Sequence, residues 1–145
     1  MEIKNRKAKF DYEILEELEC GIALTGTEIK SIRQGSANLK DCYGIIRNNE
    51  VFLLNMHVSP YEQGNIFNHD EKRTRKLLLH KKEILKLNDR VKLEGLTLVP
   101  LKLYFKANKV KILLALARGK KNYDKRESIK EKDIKRSLQK EFKLR

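Results

Sequence analysis

The 145-residue sequence has no long hydrophobic run, no cysteine framework and no clustered histidines. Its densest apolar segment, KVKILLALA at 109–117, is far short of the ~18–20 residues that a membrane-spanning helix needs. Residues 1–9 are polar and basic, without the apolar centre of a secretion signal, so a cytoplasmic location with no membrane partner is expected. Cys20 and Cys42 form neither a CxxC pair nor a disulfide framework, and read as small buried strand residues. His57, His69 and His80 are too scattered for local metal ligation. Nucleophile-elbow, Walker and dinucleotide-binding glycine patterns are absent. Together these absences argue against an enzyme: no catalytic residue, metal ligand or cofactor is assigned. One weak enzymatic signal remains. His69-Asp70 beside Arg73 and Arg75 could suggest a phosphodiesterase centre, although such a loop histidine serves as readily in a turn or an RNA contact.

What the chain has in abundance is positive charge. The formal net charge is +13, and it is unevenly spread. From Arg118 to Arg145 there are 12 basic and 5 acidic residues, so a segment about one fifth of the length carries over half of the excess. A basic surplus of this kind calls for a polyanionic partner, nucleic acid first and a membrane surface second.

The apolar pattern before that segment is mostly that of strands. Residues 12–24 alternate, with Tyr12, Ile14, Leu18, Cys20, Ile22 and Leu24 against Glu13, Glu17 and Glu19. Thr25 and Glu28 have capping-box spacing and predict a short helix over about 26–34, closed by Gly35. Two strands follow near 40–47 and 50–58, with Asn48-Asn49 as the turn. Residues 59–75 show no period. A second helix is expected over about 80–91, with Ile84, Leu87 and Val91 on one stripe. Strands are expected at 97–106 and 110–117, the first edged or bulged at Pro100, which lacks an amide donor. Five or so strands with two helices suggest a mainly β fold, an OB-like closed β-barrel first and an open α+β sheet second.

Binding residues are sought where aromatics and cations interleave. Tyr61 and Phe67 alternate with Lys72, Arg73, Arg75 and Lys76, a pattern suited to stacking on bases and pairing with phosphates. NRKAKF at 5–10 is a second basic cluster. Glu19 has no local structural partner; it suits accepting hydrogen bonds from base amino groups or a ribose hydroxyl, and equally suits pairing with a nearby lysine. Lys111 interrupts an apolar run and reads locally as a solubilising lysine. Beyond Arg118 the apolar residues are few. Ile134, Leu138 and Phe142 form a thin helical stripe, which predicts a basic tail disordered when free and helical when held by a polyanion.

Several segments together carry a resemblance. GKKNYDKR at 119–126 resembles the GKKxxDKR signature of the small protein B family, the SsrA- or tmRNA-binding proteins. NRKA at 5–8, ECGIALTGTEIKSIRQG at 19–35, HDEKRTRKLLLHKKEI at 69–84 and LTLVPLKLYF at 96–105 are similar to further family motifs in the same order. Cys20 stands where alanine is usual and Lys132 where arginine is common. The resemblance implies an OB-like barrel over 1–117, a basic tail over 118–145, and no catalysis. It implies binding to the tRNA-like domain of tmRNA and delivery of that RNA to stalled ribosomes, the tail occupying the empty mRNA path beside small-subunit rRNA at the decoding centre. By motif position, Glu19, Leu78 and Lys111 face tmRNA. Asn5, Arg6, Lys7, His69, Arg73, Arg75 and Lys76 give supporting contacts. Gly119, Lys120, Lys121, Tyr123, Asp124, Lys125 and Arg126 form the ribosome-facing motif.

Overall fold

The computed structural model describes residues 2–62 and 68–120. The fold is mainly β with a few helices. Nine strands are present among the described residues: β1 (Glu2–Lys4), β2 (Tyr12–Ile22), β3 (Ala37–Asn38), β4 (Tyr43–Arg47), β5 (Glu50–Leu54), β6 (His57–Val58), β7 (Arg75–Leu78), β8 (Thr97–Lys106) and β9 (Lys109–Gly119). Three helices join them: α1 (Ala8–Asp11), α2 (Gly26–Arg33) and α3 (Lys81–Glu94). Seven strands make one sheet in the order β1-β8-β4-β5-β7-β2-β9, and β9 pairs back onto β8. The chain of pairings that leaves β8 through β4 therefore returns to it. Strands β3 and β6 form a separate antiparallel pair. Among the described residues, no helix is long and apolar enough to cross a membrane.

Local chemistry explains where elements begin and turn. At the start of α2 the Thr25 hydroxyl accepts from the Glu28 amide, and the Glu28 carboxylate accepts from the Thr25 amide at 2.9 Å. Gly35 follows with φ of +76°. Asn48 and Asn49 both take positive φ, which matches a two-residue turn to the twist of β4 and β5.

Of the three long strands, β2 and β8 are each broken once and β9 runs unbroken. Along β2 the register with β9 slips between Ile14 and Glu16, and along β8 it slips between Pro100 and Lys102. Each slip inserts one residue and turns the strand over. The sequence pattern places Tyr12 and Ile14 on one face with Leu18, Cys20 and Ile22. In the fold the bulge puts them on the other face instead, where they pack with Val99, Ala115, Ala117 and Leu101. Leu18, Cys20 and Ile22 face the main core with Leu98, Leu103, Ile112, Leu114 and Leu116. The bulge at Pro100 has the expected cause, since proline cannot supply a ladder hydrogen bond there.

Candidate nucleic-acid interface

Strands β2, β7 and β9 bring Glu19, Leu78 and Lys111 to one groove of about 600 Å³. The pairings fix this meeting: Gly21 lies opposite Leu78 on one side and Lys111 on the other. Leu78 leaves half of its surface open (52%), which makes it an apolar platform beside two charged groups. Gly21 leaves room for that seat. A Cβ on it would lie 3.2 Å from the Leu78 Cβ.

Glu19 is held from two sides. The Tyr104 hydroxyl donates to its Oε2 at 2.5 Å, and Lys106 Nζ approaches Oε1 at 3.3 Å. The Tyr104 hydrogen bond, opposed by partial desolvation and helped by Lys106 and Lys111, holds the Glu19 carboxyl below its usual range. Burial, together with the Glu19 carboxylate, pushes the Tyr104 phenol up to about 12, so it remains a donor at neutral pH. Of the two roles that suit Glu19, pairing with a neighbouring lysine is therefore present, and acceptance from RNA uses what that pairing leaves free. Tyr104 itself escapes sequence reasoning as a site residue. Its only signal is its place on the polar face of β8 with Lys102 and Lys106.

Cys20 lines the same groove, but burial pushes its thiol up to about 12, and Cys42 is shifted likewise. Both are buried and free; Cys20 is a strand residue as expected, whereas Cys42 lies just before β4. Neither has the stabilised thiolate of a nucleophile.

The other expected contacts are not gathered at this groove. Asn5, Arg6 and Lys7 line a separate pocket of about 370 Å³ with Lys4, Lys40 and Tyr43. Asn5 also has an internal duty. Its side-chain amide donates to the Pro100 carbonyl at 2.9 Å and its backbone amide to Leu101 at 2.8 Å, so it closes the bulge of β8. Lys76 is exposed and pairs with Glu50 at 3.2 Å.

Arg75 requires a correction. The expectation of an RNA contact fails on burial, because Arg75 has no exposed surface. Its guanidinium bonds the Glu28 carboxylate, the Met56 carbonyl at 2.6 Å and the Arg73 carbonyl at 3.0 Å. Arg73 is half-buried and bonds Glu28 Oε1 at 2.6 Å and the Ala23 carbonyl at 3.2 Å. Burial alone would raise the Glu28 pKa, but the bonds from Arg73, the Thr25 amide and Arg75 outweigh it and leave the carboxyl ionised. His69 has both ring nitrogens occupied, with Nε2 2.9 Å from the Val58 carbonyl and Nδ1 2.9 Å from the Thr27 hydroxyl. A carbonyl only accepts, so Nε2 carries the proton and Nδ1 takes that of Thr27 in the neutral ring. These three residues clamp the segment after Asn68 onto the start of α2.

Gly119 ends β9, paired with Tyr12, and the Lys120 amide bonds the Asp11 carbonyl at 2.9 Å. The strand thus runs past the expected boundary at 117. Lys121, Tyr123, Asp124, Lys125 and Arg126 lie outside the described residues, as does Phe67.

These features define a small, basic, mainly β protein with a half-apolar groove flanked by a fixed carboxylate and lysines. The SmpB protein family model matches residues 2–144, and the chain belongs to that family. SsrA-binding proteins of Staphylococcus aureus strains Newman and COL are 58% identical to it over 142 residues, covering 98% of this chain and 92% of theirs. A solved structure described as "tmRNA-SmpB: a journey to the center of the bacterial ribosome" is 49% identical, with a TM-score of 0.69, covering 83% of this chain and 85% of its own.

Proposed function

We propose that this protein binds the tRNA-like domain of tmRNA and delivers that RNA to stalled ribosomes in trans-translation. The observation that carries the reading is one concave site, the Glu19–Leu78–Lys111 groove, in a chain 58% identical to SsrA-binding proteins. The chemistry suits folded RNA. Leu78 offers a flat apolar contact to a base or ribose, Glu19 accepts from amino or hydroxyl donors, and Lys111 neutralises phosphate.

The ring of strand pairings supports reading the body as a closed, OB-like barrel, a scaffold that presents one strand face to nucleic acid. Arg6, Lys7 and Lys76, all exposed, add supporting contacts to RNA. The basic segment that follows β9 occupies the vacant mRNA path of a stalled ribosome. There it contacts small-subunit rRNA through Lys120, Lys121, Tyr123, Lys125 and Arg126. A stalled ribosome offers no codon, so a cationic segment that can enter only an empty channel makes recognition conditional on that emptiness. The protein works in the cytoplasm as a binding partner and not as a catalyst.

Competition binding with tmRNA, its tRNA-like fragment and bulk tRNA tests the reading. The first two should displace labelled tmRNA at equal concentrations, and bulk tRNA only in large excess. Equal displacement by all three would reduce the protein to a general RNA binder.

A further inference from the structure

We propose that Tyr104 is a positioning residue for RNA recognition: by bonding Glu19 across the intervening strand it presets the carboxylate to accept hydrogen-bond donors from bound RNA. This rests on the reading of the groove as the tmRNA site.

The geometry begins with two rows across β2, β9 and β8. In one, Glu19 lies opposite Leu113, which lies opposite Lys102; in the next, Gly21 lies opposite Lys111, which lies opposite Tyr104. Tyr104 and Glu19 are therefore on the same face, two strands and one row apart, with only half-buried Leu113 and Lys111 between them. A tyrosine is long enough to cross that gap, and its hydroxyl reaches Oε2 at 2.5 Å. Lys102 Nζ sits 5.1 Å from the centre of the Tyr104 ring and steadies it from behind.

A carboxylate has about four acceptor positions. Tyr104 takes one and Lys106 reaches both oxygens, which leaves acceptor capacity on a side chain that lines the groove. A free glutamate on an open strand samples many rotamers and would have to give them up on binding. Here Tyr104 has removed that freedom beforehand, and its hydrogen bond also lowers the pKa of the carboxyl. An ionised, acceptor-only group selects exocyclic amines and ribose hydroxyls and repels phosphate. The site therefore reads donors at one fixed place while Lys111 handles the backbone.

The test is a double-mutant cycle on the full chain. Tyr104→Phe keeps the ring and its contact with Lys102 and removes only the hydroxyl. It should weaken tmRNA binding by about tenfold, the scale of one hydrogen bond to a charged group. In a Glu19→Gln background the same change should cost less than about twofold, as expected when the two residues act as one unit. The side-chain carboxyl of Glu19, followed by carbon NMR, should titrate at higher pH in Y104F, and the acid limb of tmRNA binding should move up with it. The other groups facing Glu19 are Lys106 on β8, Lys111 on β9 and the neighbouring Cys20, with Glu2 and Cys20 facing Tyr104; all are retained in the variant. An equal loss in both backgrounds would make Tyr104 merely structural and overturn the proposal. Weakening by E19Q with none by Y104F would overturn it too, yet leave the tmRNA reading intact. A wild-type protein with no preference for tmRNA would overturn both.

Discussion

Glu28 and Arg75, neither with any exposed surface, are joined carboxylate to guanidinium inside the protein. The same Glu28 caps α2 through Thr25 and receives Arg73 at 2.6 Å. One buried carboxylate thus ties a helix start to a strand start 47 positions later.

Glu28→Gln should cost the fold about 3–5 kcal/mol, because it leaves the buried Arg75 charge unpaired. The wild-type pH dependence has a fixed sign. The folded-state pKa of Glu28 lies below its ordinary 4.5, so its contribution is complete above that value and is lost as pH falls through the folded pKa. Denaturant melts between neutral and acid pH should therefore show a steeper acid loss for wild type than for E28Q.

Lys111→Ala and Arg75→Ala should fail in opposite ways. The first should keep the wild-type melting temperature, weaken tmRNA binding, and reduce the slope of log affinity against log salt by about 0.7–0.9, one phosphate contact. The second should lose RNA binding only in step with thermal stability. A folded R75A protein with a reduced salt slope would restore Arg75 as a phosphate contact.

Truncation separates the two RNA partners, and the structure sets where to cut. Because β9 continues to Gly119 and the Lys120 amide bonds Asp11, a chain ending after Lys120 keeps every described contact of the body. It should bind tmRNA within about twofold of the full chain, well under the tenfold that ~1.4 kcal/mol would bring, and should support no peptide tagging on stalled ribosomes. Tagging at the wild-type level would remove the tail from ribosome recognition.

Gly44→Ala tests the join between β4 and β8, which rests on the Gly44–Leu98 pair. A Cβ there would lie 2.9 Å from the Leu98 Cβ, and Leu98 is a fully packed core residue. A loss of about 1–3 kcal/mol in chemical denaturation is expected, the usual range for overpacking.

Much of this architecture was legible before folding, and the rest was hidden for definite reasons. The Thr25–Glu28 box, the Asn48-Asn49 turn and the irregularity at Pro100 are local signals, and each is where the spacing places it. Short elements are invisible to periodicity: β1, β7 and α1 are three or four residues long. The residues 15 and 101 that turn their strands over cannot be told from their neighbours without the opposing register. Arg75 misleads most. A guanidinium among Lys72, Arg73 and Lys76 looks like surface, and its carboxylate partner is distant in sequence and already accounted for as a cap. At the groove the family motif names Glu19, Leu78 and Lys111 but is silent on Tyr104, whose role depends on a contact across two strands.

The slip at Leu15 bears on how this protein can vary in length. Remove that one residue and the opening of β2 would swap inside for outside: Tyr12 and Ile14 would swing away from their satellite cluster, while the Glu17–Glu19 stretch kept its aim. Chain-length changes are thus tolerable in the connecting turns but not here, so the count of residues between Tyr12 and Glu19 is as constrained as their identities.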